Sequence, residues 1–423
     1  MKKGIFAIAA LLLFLGNGPV SADNNPLTDL KKVDRLDLES AIKMAVDNSY
    51  NLSLLQLKFN ALDNKQDDLK AQKEDLPDAG SVPSYRLPTS PGDIVGDPKY
   101  GIPNTTKPEQ LVWLGPTIEA NTVINKMLDG MGDIVEGMNK LIRSQRNQLE
   151  IAIEQMDTNK KTTLVESDKA KEATKLQMTS EYVTLLSKKE QIDTTKEYIE
   201  LLENDVVRAQ SLESLGGGSK ENIVKAKRAV REQKEQLEIL ERAYQVDLVQ
   251  LSFDLGIEYK PDLVLEEVSL TEPQPVERKD RNQILAKSYD IKIKYNDIEQ
   301  ARWEEVHTNT SGEDGKDYLD ISTRIKEMQG EQLLVEQAKK IDQVYNEAET
   351  AYLQVLTATE QSQDALEDYN NNYIRFEKGF ISAFDMNKLK FTLTQSQAKE
   401  KLAKLKYFAL TQKVTSMENG LII

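Results

Sequence analysis

Cysteine is absent from the 423 residues, which excludes disulfides, thiolate metal sites and cysteine nucleophiles. Histidine occurs once, at His307 in the polar run HTNTSGEDGKDY (307–318), where a catalytic triad or a zinc site would lack partners. Aromatic residues make up 6% and charged residues 30%, a profile of long solvated helices rather than of a thick globular core. Beyond residue 22 no stretch approaches roughly eighteen consecutive apolar residues, so no membrane helix is predicted. A net charge of −15 removes the electrostatic reason to bind nucleic acid or anionic lipid. Seventy acidic residues also produce close carboxylate pairs by chance, so none is read as an acid–base pair.

The start of the chain is distinctive. Lys2 and Lys3 precede an apolar run from Ile5 to Leu15, then Gly16, Gly18 and Pro19, then small residues ending at Ala22. This predicts a secretory signal peptide over 1–22 and an exported mature chain. Its removal takes Lys2 and Lys3 with it and moves the net charge from −15 to −17.

Glycine and proline then punctuate the chain in a few places. Residues 76–116 hold eight of the thirteen prolines, and 256–275 reads as a linker with Leu263, Leu265, Val268 and Leu270 set between acids. From Gly137 to Gly216, and again from Gly218 to Gly256, neither residue type intervenes. A helix from about Gly137 to Gly216 would be on the order of 115 Å long. Downstream of the glycines, Ile223, Val230, Leu237, Tyr244 and Leu251 recur every seven residues, the pattern of a helix packed in a coiled-coil manner.

A shift of 163 residues brings this pattern onto a second copy: Met386, Leu393, Tyr407 and Val414, with Glu400 breaking the stripe. The same shift carries Gly216, Ser219 and Asn222 onto Gly379, Ser382 and Asp385. Upstream, NSYNLSLLQLKFNAL (48–62) resembles KSYDIKIKYNDIEQA (287–301), matching Tyr50 with Tyr289. The fold class expected is all-α, with long antiparallel helical hairpins of coiled-coil or α-barrel type from an internal duplication and little or no β structure. The expected segments are an N-terminal helix in 23–75, a Pro-rich insertion in 76–120, and a hairpin in 121–255 with its tip near 215–219. The linker 256–275, a first helix in 276–306, a polar loop in 307–320 and a hairpin in 321–423 with its tip near 378–382 follow. Leu319, Ile321, Thr323 and Ile325 alternate as a strand would, but Ile321, Ile325 and Met328 also fit a helix start. Trp113, Leu114 and Ile118 read either as a contact patch or as a buried plug.

Ser219 and Ser382 are predicted N-caps, and Gly216 and Gly379 are suited to end the preceding helices in the left-handed conformation. The run Gly216-Gly217-Gly218-Ser219-Lys220 superficially suggests a phosphate loop, but its Lys–Ser order is reversed and no strand precedes it. No enzymatic activity is expected.

Two stretches carry a family resemblance. LDLESAIKMAVDNSYNL (36–52), with Leu36, Leu38, Ala41, Ala45 and Asn48, looks like the opening helix of the TolC-like outer membrane efflux protein family. RFEKGFISAFDMNKLKFTLTQSQAKEKLAKLKYFAL (375–410) is similar to that family's last tip and helix. The resemblance implies an exit duct built from a trimer and no cofactor. Its helical tips dock a membrane-fusion or adaptor protein and, through it, an inner or cytoplasmic membrane transporter. It places Leu215, Gly216, Gly217, Ser219 and Asn222 at one tip, and Lys378, Gly379, Phe380, Ser382 and Asp385 at the other. Asp385 matches an acid near the tunnel mouth, whereas Lys388 stands where a second acid often follows. The family inserts barrel strands in each half, yet the longest proline-free gap from Pro77 to Pro116 is residues 109–115, against the roughly 9–11 residues a spanning strand needs. A lost or reduced barrel is therefore expected, with an outer-membrane, periplasmic or wall-associated location. The alternative is a secreted coiled-coil envelope scaffold that has lost transport.

Overall fold

The computed structural model describes residues 30–82, 84–270, 272–308 and 312–423; the predicted signal peptide lies outside them. Among the described residues the regular structure is almost entirely helical. β1 (Arg35–Leu36) leads into α1 (Leu38–Asp47) and α2 (Tyr50–Glu74), followed by short 3-10 helices at Pro91–Asp93 and Pro108–Leu114. α3 (Gly115–Ser214) has 100 residues and returns through α4 (Lys220–Leu255). β2 (Val264–Leu265), α5 (Arg281–Lys287), α6 (Tyr289–His307), α7 (Glu313–Glu377) and α8 (Ala383–Glu418) complete the chain.

Two compact units are present, and α3 and α7 contribute to both. In the first, α3 and α4 run antiparallel, held by Lys188–Asp247 (2.5 Å), Lys196–Glu241 (3.0 Å) and Glu203–Lys234 (2.7 Å). α7 and α8 form a second antiparallel hairpin through Glu347–Lys413 (3.1 Å) and Gln354–Lys406 (3.1 Å). α8 also lies against α3, where Tyr198 stacks on Phe391 at 4.9 Å and Lys401 pairs with Glu190 at 2.8 Å. The pairing order is α4, α3, α8, α7. Tyr244 and Leu251 on α4 and Tyr407 and Val414 on α8 belong to the buried or half-buried face, as their spacing predicts. Glu400 interrupts that face without being stranded. Burial pushes its carboxyl pKa up, but hydrogen bonds from Lys404, Ser362 and Thr359 hold it below the usual value.

At the base of this unit β1 pairs in parallel with β2, Arg35 opposite Val264 and Leu36 opposite Leu265. Leu263 and Leu265 are buried, so the 256–275 segment supplies core rather than a bare linker. Ala41 and Ala45 let α1 approach closely, and the Asn48 side-chain amide donates to the Leu255 carbonyl at 2.6 Å, where α4 ends at Gly256 (φ 62°). Tyr182 on α3 is fully buried, with its hydroxyl 2.7 Å from both the Leu36 and Glu266 carbonyls, tying the helix to both strands.

In the second unit α2 and α6 each run antiparallel to α3. Lys58–Glu166 (2.8 Å) and Lys73–Glu150 (2.8 Å) link α2, and Thr158–Gln300 (2.8 Å) and Gln155–Glu304 (2.8 Å) link α6. α7 adds to α6, where Arg302 pairs with Glu327 at 2.6 Å. Beyond the ends of α2 and α6, the first part of the proline-rich segment is tied along α3 as a strap, at Gly80, Leu87 and Pro88. The Asn125 side chain exchanges two hydrogen bonds with the Leu87 backbone (2.9 and 2.8 Å), and Asn139 does the same with Gly80 (2.9 and 2.8 Å). Asn121 donates to the Pro88 carbonyl at 2.9 Å.

Several boundaries depart from the sequence reading. α3 begins at Gly115 and passes straight through Gly130, Gly132 and Gly137. Each glycine costs a helix about 1 kcal/mol relative to alanine, and the asparagine–strap bonds supply local support. The 307–320 loop is shorter than expected, because Glu313 and Asp314 start α7 and complement its N-terminal dipole. Leu319–Ile325 is therefore helical, not a strand. The first helix of each half is broken, before Tyr50 and before Tyr289. Leu114 is buried with Ile94 and Leu111 and Ile118 packs against them, while Trp113 is 70% exposed, so the suspected patch divides between plug and surface.

Replacing Tyr182 by Phe leaves the Glu266 carbonyl short of a donor. The expected outcome is a loss of about 1–2 kcal/mol, read as a lower denaturant midpoint with helicity unchanged by circular dichroism.

Candidate docking tips

Helix α3 ends because Gly216 can adopt φ 77° without a side-chain penalty. Its N–H donates to the Glu213 carbonyl at 3.0 Å, and the Gly217 N–H reaches back to Leu212 at 2.9 Å. This pair of bonds is a Schellman closure. Helix α7 ends in the same way. Gly379 also has φ 77°, its N–H donates to Phe376 (2.9 Å), and the Phe380 N–H donates to Arg375 (2.9 Å).

The next helices start on serine. The Ser219 hydroxyl accepts from the Asn222 N–H at 3.3 Å, and the Ser382 hydroxyl accepts from the Asp385 N–H at 3.1 Å. At the second turn Ser382 also donates to the Asp385 carboxylate at 2.6 Å, so that side chain is engaged locally. The glycine run at 216–218 is a helix-to-helix turn preceded by α3.

All ten residues predicted for the tips are exposed: Leu215, Gly216, Gly217, Ser219 and Asn222 on the first, Lys378, Gly379, Phe380, Ser382 and Asp385 on the second. Leu215 and Phe380 are 82% and 74% exposed. A Cβ built on Gly216 or Gly379 would meet nothing within 4 Å. Both turns sit at the same end of the first unit. The Arg208 guanidinium lies 4.0 Å from the centre of the Phe384 ring, and Lys388 approaches the same ring at 5.2 Å. Arg208 and Phe384 were not singled out from the sequence. An arginine near the end of α3 and an aromatic just inside α8 were the available signal, but only packing pairs them.

No group of three or more metal-ligating side chains occurs among the described residues, and no described helix is long and apolar enough to cross a membrane. His307, the last residue of α6, stacks on Trp303 at 4.2 Å and is exposed.

Solved structures share this arrangement. The outer membrane protein VceC of Vibrio cholerae superposes with a TM-score of 0.58 at 12% identity, covering 91% of this chain and 97% of that one. The fold is that of the TolC-like efflux channels. The CmeC outer membrane channel of Campylobacter jejuni gives 0.56 at 12% identity, covering 91% and 86%. The MtrE outer membrane channel of Neisseria gonorrhoeae gives 0.52 at 11%, covering 91% and 89%. No protein-family model matches the chain, and no curated protein matches it in sequence. The TolC-like fold is thus present without a barrel strand of spanning length among the described residues, where β1 and β2 have two residues each.

With open space around both glycines, a substitution tests conformation alone. Gly216→Ala and Gly379→Ala are each expected to cost about 1 kcal/mol. Asparagine at the same positions should cost less, as read by thermal melting of the mature chain.

Proposed function

We propose that this chain is the exit-duct component of a cell-envelope export system, acting by shape and not as an enzyme. Its two halves are copies of one duplicated unit, 23–255 and 276–423. The tips at 215–219 and 378–382 dock a membrane-fusion or adaptor protein, and through it a membrane transporter. The observation that carries this reading is the pair of exposed glycine turns with the same φ and the same closure, at one end of a TolC-like fold.

Closure into a ring of copies, a trimer by resemblance, is supported by apolar stripes that the first unit leaves open. Ile239, Val246 and Phe253 on α4 are seven residues apart and 60%, 67% and 71% exposed, and Leu353 and Leu356 on α7 are 62% and 47% exposed. The signal peptide directs export, and the neighbouring channel structures support an envelope location. A second reading, an envelope scaffold without transport, is favoured by the lack of a spanning strand among the described residues.

Leu215→Asp with Phe380→Asp places charge on both tips at positions that carry no packing. The double variant is expected to melt like the parent, to lose binding to a purified candidate adaptor, and to lose export. Undiminished adaptor binding and export would overturn the docking reading. Light scattering of the mature chain, with and without adaptor, reads the subunit number.

A further inference from the structure

The first 30 residues of α3, in the second unit, carry a second apolar stripe that stands exposed among the described residues. Ile124, Met127, Met131, Ile134, Met138 and Leu141 follow one another at alternating steps of three and four. Their exposures run from 42% to 64%. Written as heptads, Ile124, Met131 and Met138 take position a, and Met127, Ile134 and Leu141 take position d.

The surrounding positions narrow what can cover this stripe. On one side, at e, Leu128, Val135 and Ile142 are half-buried, and Val135 lies beside Gly80 of the strap. On the other side, at g, stand Gly130, Gly137 and Ser144. A Cβ on Gly130 or Gly137 would meet nothing within 4 Å, so no contact among the described residues demands a glycine there. A neighbouring helix approaching closely would. Charges occur only at c and f: Lys126, Asp133 and Lys140, and Asp129, Glu136 and Arg143. The four positions that face a partner in a helical bundle are therefore free of charge, and copies in parallel register meet no like-charge repulsion.

A lipid surface fits this face poorly. From Val123 to Leu141 the polar side holds Asp129, Asp133 and Glu136 against Lys126 and Lys140, without the cationic surplus that interfacial helices use. A strict seven-residue step is the requirement of another helix, not of a flat apolar medium.

We infer that the stripe Ile124–Leu141 is a self-association site, through which α3 helices of copies of this chain join as a parallel bundle where barrel strands would otherwise be expected. The parallel orientation rests on the proposed ring-shaped duct. Self-association itself rests on the stripe alone.

The absence of native cysteine makes the test direct. Single variants Ile124→Cys, Leu141→Cys and Glu136→Cys of the full mature chain are oxidised and run on non-reducing gels, with helicity checked first. The expected result is a cross-linked dimer band for Ile124→Cys and for Leu141→Cys, each with itself, and none for Glu136→Cys on the polar side. The bands should persist when Leu215→Asp and Phe380→Asp are added, which separates this site from tip docking. Equal cross-linking of Glu136→Cys, or no band from either stripe variant, overturns the proposal. Cross-linking only between Ile124→Cys and Leu141→Cys in a mixture would show an antiparallel pair and overturn the parallel bundle.

Discussion

Apolar side chains on α3 have to be covered turn by turn, because a helix of this length depends on tertiary packing far more than on intrinsic propensity. The chain meets that demand in sections. In the first unit α4 and α8 flank α3; in the second, α2 and α6 do so until Lys73 and His307, which reach α3 at Glu150 and Asn147. From there to Gly115 the cover among the described residues is a strap without regular strand or long helix, and it leaves one face exposed. The other elements follow from this supply problem. The hairpin partners are long because α3 is long, and the β1–β2 pair exists where Tyr182 joins the helix to the chain's crossing segments.

Helices of this length need sharp stops, and four of them are built by the same device. Gly216, Gly256, Gly379 and Gly420 all have positive φ and all close the preceding helix with paired backward bonds. Their surroundings differ. A Cβ on Gly256 would press on Asn48 at 3.1 Å, and one on Gly420 would meet the Lys287 carbonyl at 2.4 Å, whereas the two tip glycines face open space. Two closures are packed into the units, and two are left for solvent or a partner.

Much of this was legible in the sequence, because capping is short-range chemistry and seven-residue periodicity survives in a one-dimensional string. Ser219 and Ser382, the turn glycines, and Tyr244, Leu251, Tyr407 and Val414 were all placed by such local rules. What escaped had a long-range cause. The start of α3 was expected near residue 121 and lies at Gly115, and nothing local pairs Asn121, Asn125 and Asn139 with the strap they hold against that stretch of helix. The 307–320 run looked like a loop because its composition is polar, although acids are also what a helix start prefers. Arg208 and Phe384 stand more than 170 positions apart, and nothing local announces their contact.

The strap works as a gear with a fixed ratio. Gly80 and Leu87 are seven residues apart, and their partners Asn139 and Asn125 are fourteen apart. Seven residues of extended chain at ~3.1 Å each cover about 22 Å, and fourteen helical residues at ~1.5 Å cover about 21 Å. Lengthening or shortening this region therefore has to proceed in coupled steps, two helical residues for each strap residue, or one asparagine loses its backbone partner. Its length is set by meshing, although the described strap residues form no regular ladder.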